Sequence, residues 1–345
     1  MGNILSYSGI NTKIKAMSSK LISSEDKNTI SGIESVSEFV AFLKSHPGYH
    51  EIFEHVDEHN VHRDEIEQML EYSVYMDYAK IYKFANVKQR DFMDLHFIKY
   101  EVNILKSCMR MVFDKREVSL DLSLFEDFFK SHSKIDIVKL SNSTTIEELV
   151  SNLEGTDYYK PLSKLQSLSV PTLFDYEMQL DLYHFTSVWK TIGKYLKGDD
   201  LKIITHNYGC QIDMLNIQWI YRAKKFYNIP NTDIYSLIIP VNYKLKKETL
   251  NAMVNAESWK DLEDIISGSY YGRLYNSLNL NSPEEFYRKN RFMMHSLESK
   301  KKPYTIATIN SYLFFKEREI RMLTTALECV RYGLDSNTIL SYITN

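Results

Sequence analysis

The sequence is poor in glycine and proline, the residues on which most tight turns depend. Only 11 glycines and 7 prolines occur in 345 residues, about 5% of the chain, whereas their usual share is roughly 12%. Sheet sandwiches, barrels and propellers need many such turns. Because 44% of the residues are apolar and 25% are charged, the chain can bury a large core. We therefore expect a soluble, all-α protein.

Cysteine and long apolar runs are also scarce. Cys108, Cys210 and Cys329 lie far apart and form no C-x-x-C pair, which predicts reduced thiols in a cytosolic protein. No apolar run approaches the roughly 18 residues that a membrane-spanning helix requires. A net charge of −3 gives no electrostatic reason to expect a nucleic-acid partner.

Motifs that bind nucleotides or activate a nucleophile are missing. The sequence contains no GxxxxGK[ST], GxGxxG or GxSxG. The low glycine content also disfavours a backbone nest around a phosphate group. We therefore predict neither a cofactor nor a catalytic residue.

Histidine is the one chemically reactive residue type that is concentrated. Five of the ten histidines lie within residues 46–62, among several acids: His46, His50, His55, His59 and His62. On a helix, the pair separated by four residues, His55 and His59, would share a face and could hold a divalent metal with a carboxylate. The order HExxH is absent and the spacing fixes no third ligand. A solvent-facing polar stretch is therefore favoured, and a metal-dependent enzyme is kept as an alternative.

Two landmarks recur with a period of about 110 residues. The first is an acid at the head of a long amphipathic segment: Glu101, Asp213 and Glu319. The second is a tyrosine that ends a shorter amphipathic segment: Tyr49, Tyr159 and Tyr271. Two landmarks in phase predict three similar helical modules, residues 1–118, 119–230 and 231–345, arranged with pseudo-threefold symmetry about an axis.

The repeat also predicts individual elements. Each module should contain a short helix, a tyrosine turn, a middle helix and a long helix. The predicted middle helices are 64–84, 174–196 and 283–297, starting at Asp64, Asp175 and Ser282. Connectors at 119–143 and 231–249 carry enough apolar residues to be packed elements. The third long segment departs from the first two, because Glu328 stands where they have Arg110 and Arg222.

The three repeated acids admit two interpretations. As a set meeting on the axis, Glu101, Asp213 and Glu319 could perform acid–base chemistry. A structural role is simpler, because an acid at a helix head complements the helix dipole or pairs with a basic neighbour. We therefore predict structural positions for the acids. The turns at Tyr49, Tyr159 and Tyr271 are the candidates for partner contact, since pseudo-symmetry would place them at one level.

Several segments resemble the C-subunit family of the V-type (archaeal-type) ATPases, whose eukaryotic member is the d subunit. These segments are residues 7–21, 100–110, 213–224, 303–307 and 316–323. Their order and the threefold repeat suit this family and few others, and the resemblance extends over essentially the whole chain.

The resemblance implies a non-catalytic, funnel-shaped, all-helical subunit of three modules. Such a subunit lies at the cytoplasmic end of a membrane rotor ring and receives the foot of a central shaft made of the D and F subunits. It would act as a socket that passes torque to a ring moving protons or sodium ions. An all-helical scaffold or adaptor unrelated to the rotary ATPase is the other alternative.

Overall fold

The computed structural model describes residues 2–115, 121–167, 171–277 and 282–344. Within these ranges the secondary structure is helical, with no strands, and 76% of the protein is helix. The predicted all-α class is confirmed.

The helices follow one order three times along the chain. The first six are α1 (Gly2–Ser18), α2 (Ser24–Ser31), α3 (Val36–Ser45), α4 (His50–Phe53), α5 (Arg63–Phe84) and α6 (Val87–Phe113). The next six are α7 (Ser123–His132), α8 (Ile137–Ser141), α9 (Ile146–Ser151), α10 (Tyr159–Gln166), α11 (Leu173–Tyr195) and α12 (Gly198–Lys225). In both sets the fifth and sixth helices are the longest.

The third set has the same order. It comprises α13 (Asn231–Leu237), α14 (Lys247–Asn255), α15 (Trp259–Gly268), α16 (Gly272–Ser277), α17 (Pro283–Lys301) and α18 (Ala307–Arg331), followed by α19 (Ser336–Thr344). The three predicted middle helices are confirmed as α5, α11 and α17.

Two of the three predicted helix starts are wrong by a few residues. The N-cap of α5 is His62, with Glu65 completing the capping box, and the N-cap of α11 is Thr172, whose hydroxyl accepts from the Asp175 N–H. In α11 the acid thus occupies the third helical position, where it completes the box. At α17 the prediction holds, since the Ser282 hydroxyl accepts the Glu285 N–H at 3.2 Å.

The connectors form packed structure as predicted. Phe125 and Phe129 of α7 are buried, as are Ile234 of α13 and Ile239 just after it. The start of the first connector and the predicted boundary between modules one and two fall within residues 116–120, outside the described residues.

The chain divides into two compact units. Unit one joins residues 1–89 to 298–345, and unit two is residues 90–297. The boundaries fall within α6 and α17. In unit one, α18 packs on α1, α3 and α5, and α19 packs on α2 and α18. The two ends of the sequence therefore build one core together. Three modules of 1–118, 119–230 and 231–345 stay a prediction.

Unit two has an apolar core in which α12 contacts α11, α13 and α14. Met214, Ile217 and Ile220 line the buried face of α12, and Met253 and Phe286 pack into the same cluster. Within the described ranges, no helix of either unit is long and apolar enough to cross a membrane.

Gly209 lets the second connector approach α12 closely. A Cβ atom at this position would lie 2.4 Å from Cγ of Tyr243, far inside van der Waals contact. Gly193, in α11, is also helical, but a Cβ atom there would meet no heavy atom within 4 Å.

We expect Gly209→Ala to lower the free energy of unfolding by about 2 kcal/mol, because the Tyr243 ring must shift. Gly193→Ala is the matched control and should raise it by about 0.5 kcal/mol through reduced freedom of the unfolded chain. Urea denaturation of both variants measures the difference. Equal effects would mean that the close approach of Tyr243 carries no energetic weight.

Candidate functional site

The three repeated acids lie in the middle of the long helices. Glu101 is in α6 (Val87–Phe113), Asp213 in α12 (Gly198–Lys225) and Glu319 in α18 (Ala307–Arg331). The prediction that they stand at helix heads and complement the helix dipole is therefore wrong, because that interaction is confined to the first turn. Each acid instead accepts hydrogen bonds from segments distant in sequence.

Glu101 forms the first carboxylate centre. The Tyr158 hydroxyl donates to its Oε2 at 2.7 Å, and the Ser133 hydroxyl donates a short hydrogen bond to its Oε1. Burial raises the pKa of Glu101, and these two hydrogen bonds partly oppose the rise. Burial and the nearby carboxylate also raise the pKa of Tyr158, so the phenol stays a donor.

Asp213 forms the second centre and is fully buried. Its Oδ2 accepts the Tyr271 hydroxyl at 2.9 Å and the backbone N–H groups of Lys244 and Leu245 at 2.7 and 3.1 Å. Burial raises the pKa of Asp213, and the backbone hydrogen bonds partly oppose it. One turn further along α12, the buried Asn216 side chain both donates to the Ile239 carbonyl and accepts its N–H. The second connector is thus fixed to α12 twice.

Glu319 forms the third centre, which contains a buried cation. Its Oε1 accepts a short hydrogen bond from the Tyr49 hydroxyl, and its Oε2 accepts the Ile22 N–H at 2.6 Å. Lys316 is 2% exposed; its Nζ donates to the Tyr49 hydroxyl at 2.9 Å and to Glu319 at 3.3 Å. The same Nζ lies 3.9 Å from Oδ2 of Asp77 and 4.0 Å from the Tyr49 ring centroid.

The three carboxylate centres share one design. Each carboxylate accepts from a tyrosine that immediately precedes the fourth helix of a set, namely Tyr49 before α4, Tyr158 before α10 and Tyr271 before α16. Each also accepts from the segment after the first helix of that set: Ile22, Ser133, or Tyr243 to Leu245. One side chain on a long helix therefore fixes two remote segments.

The equivalent tyrosine of the second set is Tyr158 and not Tyr159. Tyr158 is buried, whereas Tyr159 is half-buried and begins α10. Because two adjacent tyrosines make the spacing ambiguous, the predicted register is wrong by one residue. Tyr49 and Tyr271 are buried with their hydroxyls bonded. Partner contact through the turns at Tyr49, Tyr159 and Tyr271 stays a prediction.

Each carboxylate pairs with a tyrosine from a different set of helices, so the pairs cross the predicted module boundaries. Glu101 of the first set pairs with Tyr158 of the second, and Asp213 of the second pairs with Tyr271 of the third. Glu319, on the last long helix, pairs with Tyr49 near the start of the chain. No spacing in the sequence signals this offset. It explains why unit one contains both chain ends.

Glu328, which stands where the first two long helices have arginine, also forms an ion pair, but with the charges reversed. Arg110 of α6 donates to Glu177 of α11 at 2.6 Å, and Glu328 of α18 forms an ion pair with Arg63 of α5. Both pairs are partly exposed, so each contributes at most about 1 kcal/mol.

The histidines of residues 46–62 are dispersed. Residues 54–60 are not helical, so His55 and His59 do not share the helix face that the alternative of a metal site required. Both are exposed, as are His50 and His62, whereas His46 is buried with its Nε2 3.6 Å from Asp26. Among the residues that the structure describes, no group of three or more His, Cys, Asp or Glu side chains could hold a metal ion.

Comparison with known proteins identifies the family. Residues 10–342 match the model of the ATP synthase (C/AC39) subunit family. The chain belongs to this family. The resemblance to the C and d subunits of the V/A-type ATPases is thereby confirmed.

Curated relatives agree along nearly the full length. The A-type ATP synthase C subunit of Pyrococcus abyssi is 25% identical, covering 96% of this chain and 89% of the relative. That of Methanosphaera stadtmanae is 26% identical, covering 92% and 82%. That of Thermococcus kodakarensis is 23% identical, covering 98% and 90%.

The register of this family member can be tested at adjacent residues. We expect Tyr158→Phe to lower the free energy of unfolding by about 2 kcal/mol, because the half-buried Glu101 carboxylate loses the hydrogen bond from the buried Tyr158 hydroxyl. Tyr159→Phe is the control, and its effect should stay within about 0.5 kcal/mol. Chemical denaturation of the isolated protein measures both. A larger effect from Tyr159→Phe would favour the register that the spacing predicts.

The raised pKa of Glu101 has a consequence for stability. Since the folded protein holds this proton more tightly than the unfolded chain, the free energy of unfolding should fall as pH rises from the ordinary value of 4.5 through the raised pKa. Glu101→Gln should remove this component, whose slope is at most about 1.4 kcal/mol per pH unit for one proton.

Urea denaturation of the wild type and of Glu101→Gln between pH 4 and 7 measures how the free energy of unfolding changes with pH in each. The two slopes should differ by on the order of one bound proton. Glu54→Gln, at an exposed position, is the control and should leave the pH profile unchanged. Parallel profiles for the wild type and Glu101→Gln would contradict the burial of the carboxylate.

Proposed function

We propose that this protein is a non-catalytic socket at the cytoplasmic face of a V/A-type ATPase, between the central shaft of the D and F subunits and the membrane rotor ring. In this role it passes the torque of ATP hydrolysis to a ring that moves protons or sodium ions. Membership in an ATP synthase subunit family supports the setting. The three carboxylate centres are the observation that supports the mechanical role.

A torque-bearing part must resist shear between its helices. In each centre, one carboxylate on a long helix is bonded to a tyrosine turn and to a connector. Hydrogen bonds to a charged acceptor are directional and about twice as strong as neutral ones. The long helices can therefore transfer load to the turns without rearrangement of the shorter helices.

In the tyrosine turns, the side chains next to the buried tyrosine are exposed to solvent. Next to buried Tyr271, Tyr270 is exposed, and the Lys244 ammonium lies 5.2 Å from the centroid of its ring. Next to buried Tyr49, His50 and Glu51 are exposed. We propose that partners contact these exposed neighbours, while the buried phenols hold the turns in place.

Reconstitution of the complex without this chain tests the proposal. The head should still hydrolyse ATP, whereas ATP-driven ion uptake into vesicles should fall to background, because the shaft and the ring are no longer connected. Adding the purified chain back should restore uptake. Hydrolysis and uptake are measured on the same preparation, so that loss of the head is distinguished from loss of coupling.

Binding to the purified D–F shaft and to the purified ring provides the second measurement. Binding of both at micromolar concentration is expected. Uptake that persists without the chain, or binding to neither component, would contradict the socket. The second result is what an unrelated scaffold predicts.

A further inference from the structure

Unit one contains a cleft next to the third carboxylate centre. It lies between α1, the turn at Tyr49, α5 and α18, and its volume is about 210 Å³, equal to about seven water molecules at roughly 30 Å³ each. The buried side chains of Lys316 and Tyr312 border one end, and the exposed side chains of Lys20 and Glu51 border the other. The cleft therefore has room for a small molecule but not for a helix.

The charged groups around the cleft leave a positive excess. Two carboxylates line it, Glu51 and Asp77, and a third, Glu319, pairs with one of its lysines. The lining lysines are Lys13, Lys20, Lys80 and Lys316. Four ammonium groups against three carboxylates give a net charge of +1. A monoanion balances this charge, whereas a doubly charged phosphate would exceed it and would lie near the acids of the cleft.

The excess is located at Lys13 and Lys20, toward the open end. Lys80 donates to Glu51 at 2.8 Å, whereas neither Lys13 nor Lys20 forms an ion pair within the part of the chain that the structure describes. The hydrogen bond and the charge of Lys80, together with the charge of Lys20, lower the pKa of Glu51. The Lys13 ammonium lies 5.2 Å from the Phe84 ring centroid. Two ammonium groups without a carboxylate partner fit a carboxylate from outside the chain.

The buried end has one unused donor and one unused acceptor. Lys316 donates to the Tyr49 hydroxyl and to Glu319, and its third N–H has no oxygen acceptor within hydrogen-bond distance among the described residues. The face of the Tyr49 ring is at most a weak acceptor. Asp77 accepts the Tyr312 hydroxyl at Oδ2, 2.6 Å away, and its Oδ1 receives no hydrogen bond from any described residue. Because Nζ of Lys316 lies 3.9 Å from Oδ2 of Asp77, one hydroxyl group can accept from the ammonium and donate to the carboxylate.

We propose that the cleft binds a small hydroxy acid. Its carboxylate lies between the ammonium groups of Lys13 and Lys20. Its hydroxyl group lies between Lys316 and Asp77, where it supplies the missing acceptor and the missing donor. The side chain of Met17, which lines the cleft on α1, packs against the carbon chain. This binding is separate from the proposed socket and does not depend on it.

Isothermal titration calorimetry of the full chain with three matched ligands tests the proposal. Racemic 3-hydroxybutanoate carries both groups, butanoate lacks the hydroxyl group, and 1,3-butanediol lacks the carboxylate. We expect a dissociation constant on the order of 1 mM for 3-hydroxybutanoate, in keeping with its small number of non-hydrogen atoms. The other two ligands should bind about tenfold more weakly or not at all, because each leaves one end of the cleft without its partner.

Substitutions in α1 test whether the ligand lies in the cleft. The double variant Lys13→Gln/Lys20→Gln should weaken the binding of 3-hydroxybutanoate about tenfold. Ala16→Leu adds bulk at an exposed position that lines the cleft and should weaken binding about tenfold or more. Lys15→Gln and Ser18→Leu are the matched controls, since both positions are exposed on α1 and neither lines the cleft. Both controls should bind like the wild type, and thermal denaturation without ligand checks that every variant is folded.

Three results would overturn the proposal. The first is that 3-hydroxybutanoate does not bind the wild type at about 20 mM. The second is binding that Lys13→Gln/Lys20→Gln and Ala16→Leu leave unchanged, which would place the ligand elsewhere. The third is butanoate that binds as tightly as 3-hydroxybutanoate, which would contradict the part assigned to Lys316 and Asp77.

Discussion

The fold depends on a carboxylate in the middle of each long helix, half-buried at Glu101 and buried at Asp213 and Glu319. A buried carboxylate is costly unless its oxygens are satisfied, and here the donors come from segments far away in sequence. Tyr271 and the backbone at Lys244 reach Asp213 only when the turn and the connector are both in place. The cost of an unsatisfied acid therefore disfavours every arrangement in which either segment is displaced. Apolar packing holds the helices together, and the carboxylates determine their register.

The offset of the pairing joins the last long helix of the chain to the first set of helices. Each acid receives a tyrosine from the set that follows it, and α18, which has no following set, receives Tyr49 from the first. Unit one is consequently assembled from the two ends of the chain. Its core can be completed only after α18 has been synthesised. For the proposed socket, this means that unit one is held together by side-chain contacts where the backbone provides no link.

Much of this structure was predictable because helical periodicity and repeats are local signals. The all-α class followed from the scarcity of glycine and proline, the middle helices followed from the repeat and its capping residues, and Glu101, Asp213 and Glu319 were found as repeated positions. Their partners were not predictable, because a hydrogen bond between copies leaves no trace in spacing. At residues 158 and 159 two tyrosines fit the pattern equally well, and only burial distinguishes them. The helix that a metal site at His55 and His59 would have required is not formed, because residues 54–60 are not helical, and a four-residue spacing alone does not predict a helix.

The third centre differs from the others in a way that matches its position. Glu101 and Asp213 are satisfied by neutral donors, whereas Glu319 also has the buried ammonium of Lys316, which in turn lies near Asp77 on α5. A buried ion pair adds little net stability over apolar packing, but losing one partner costs about 3–5 kcal/mol because a bare charge is left behind. A centre with an ion pair penalises partial separation more steeply than a centre in which every donor to the carboxylate is neutral. It lies between the N-terminal segment and α18, the place in unit one where separation would meet no resistance from the backbone.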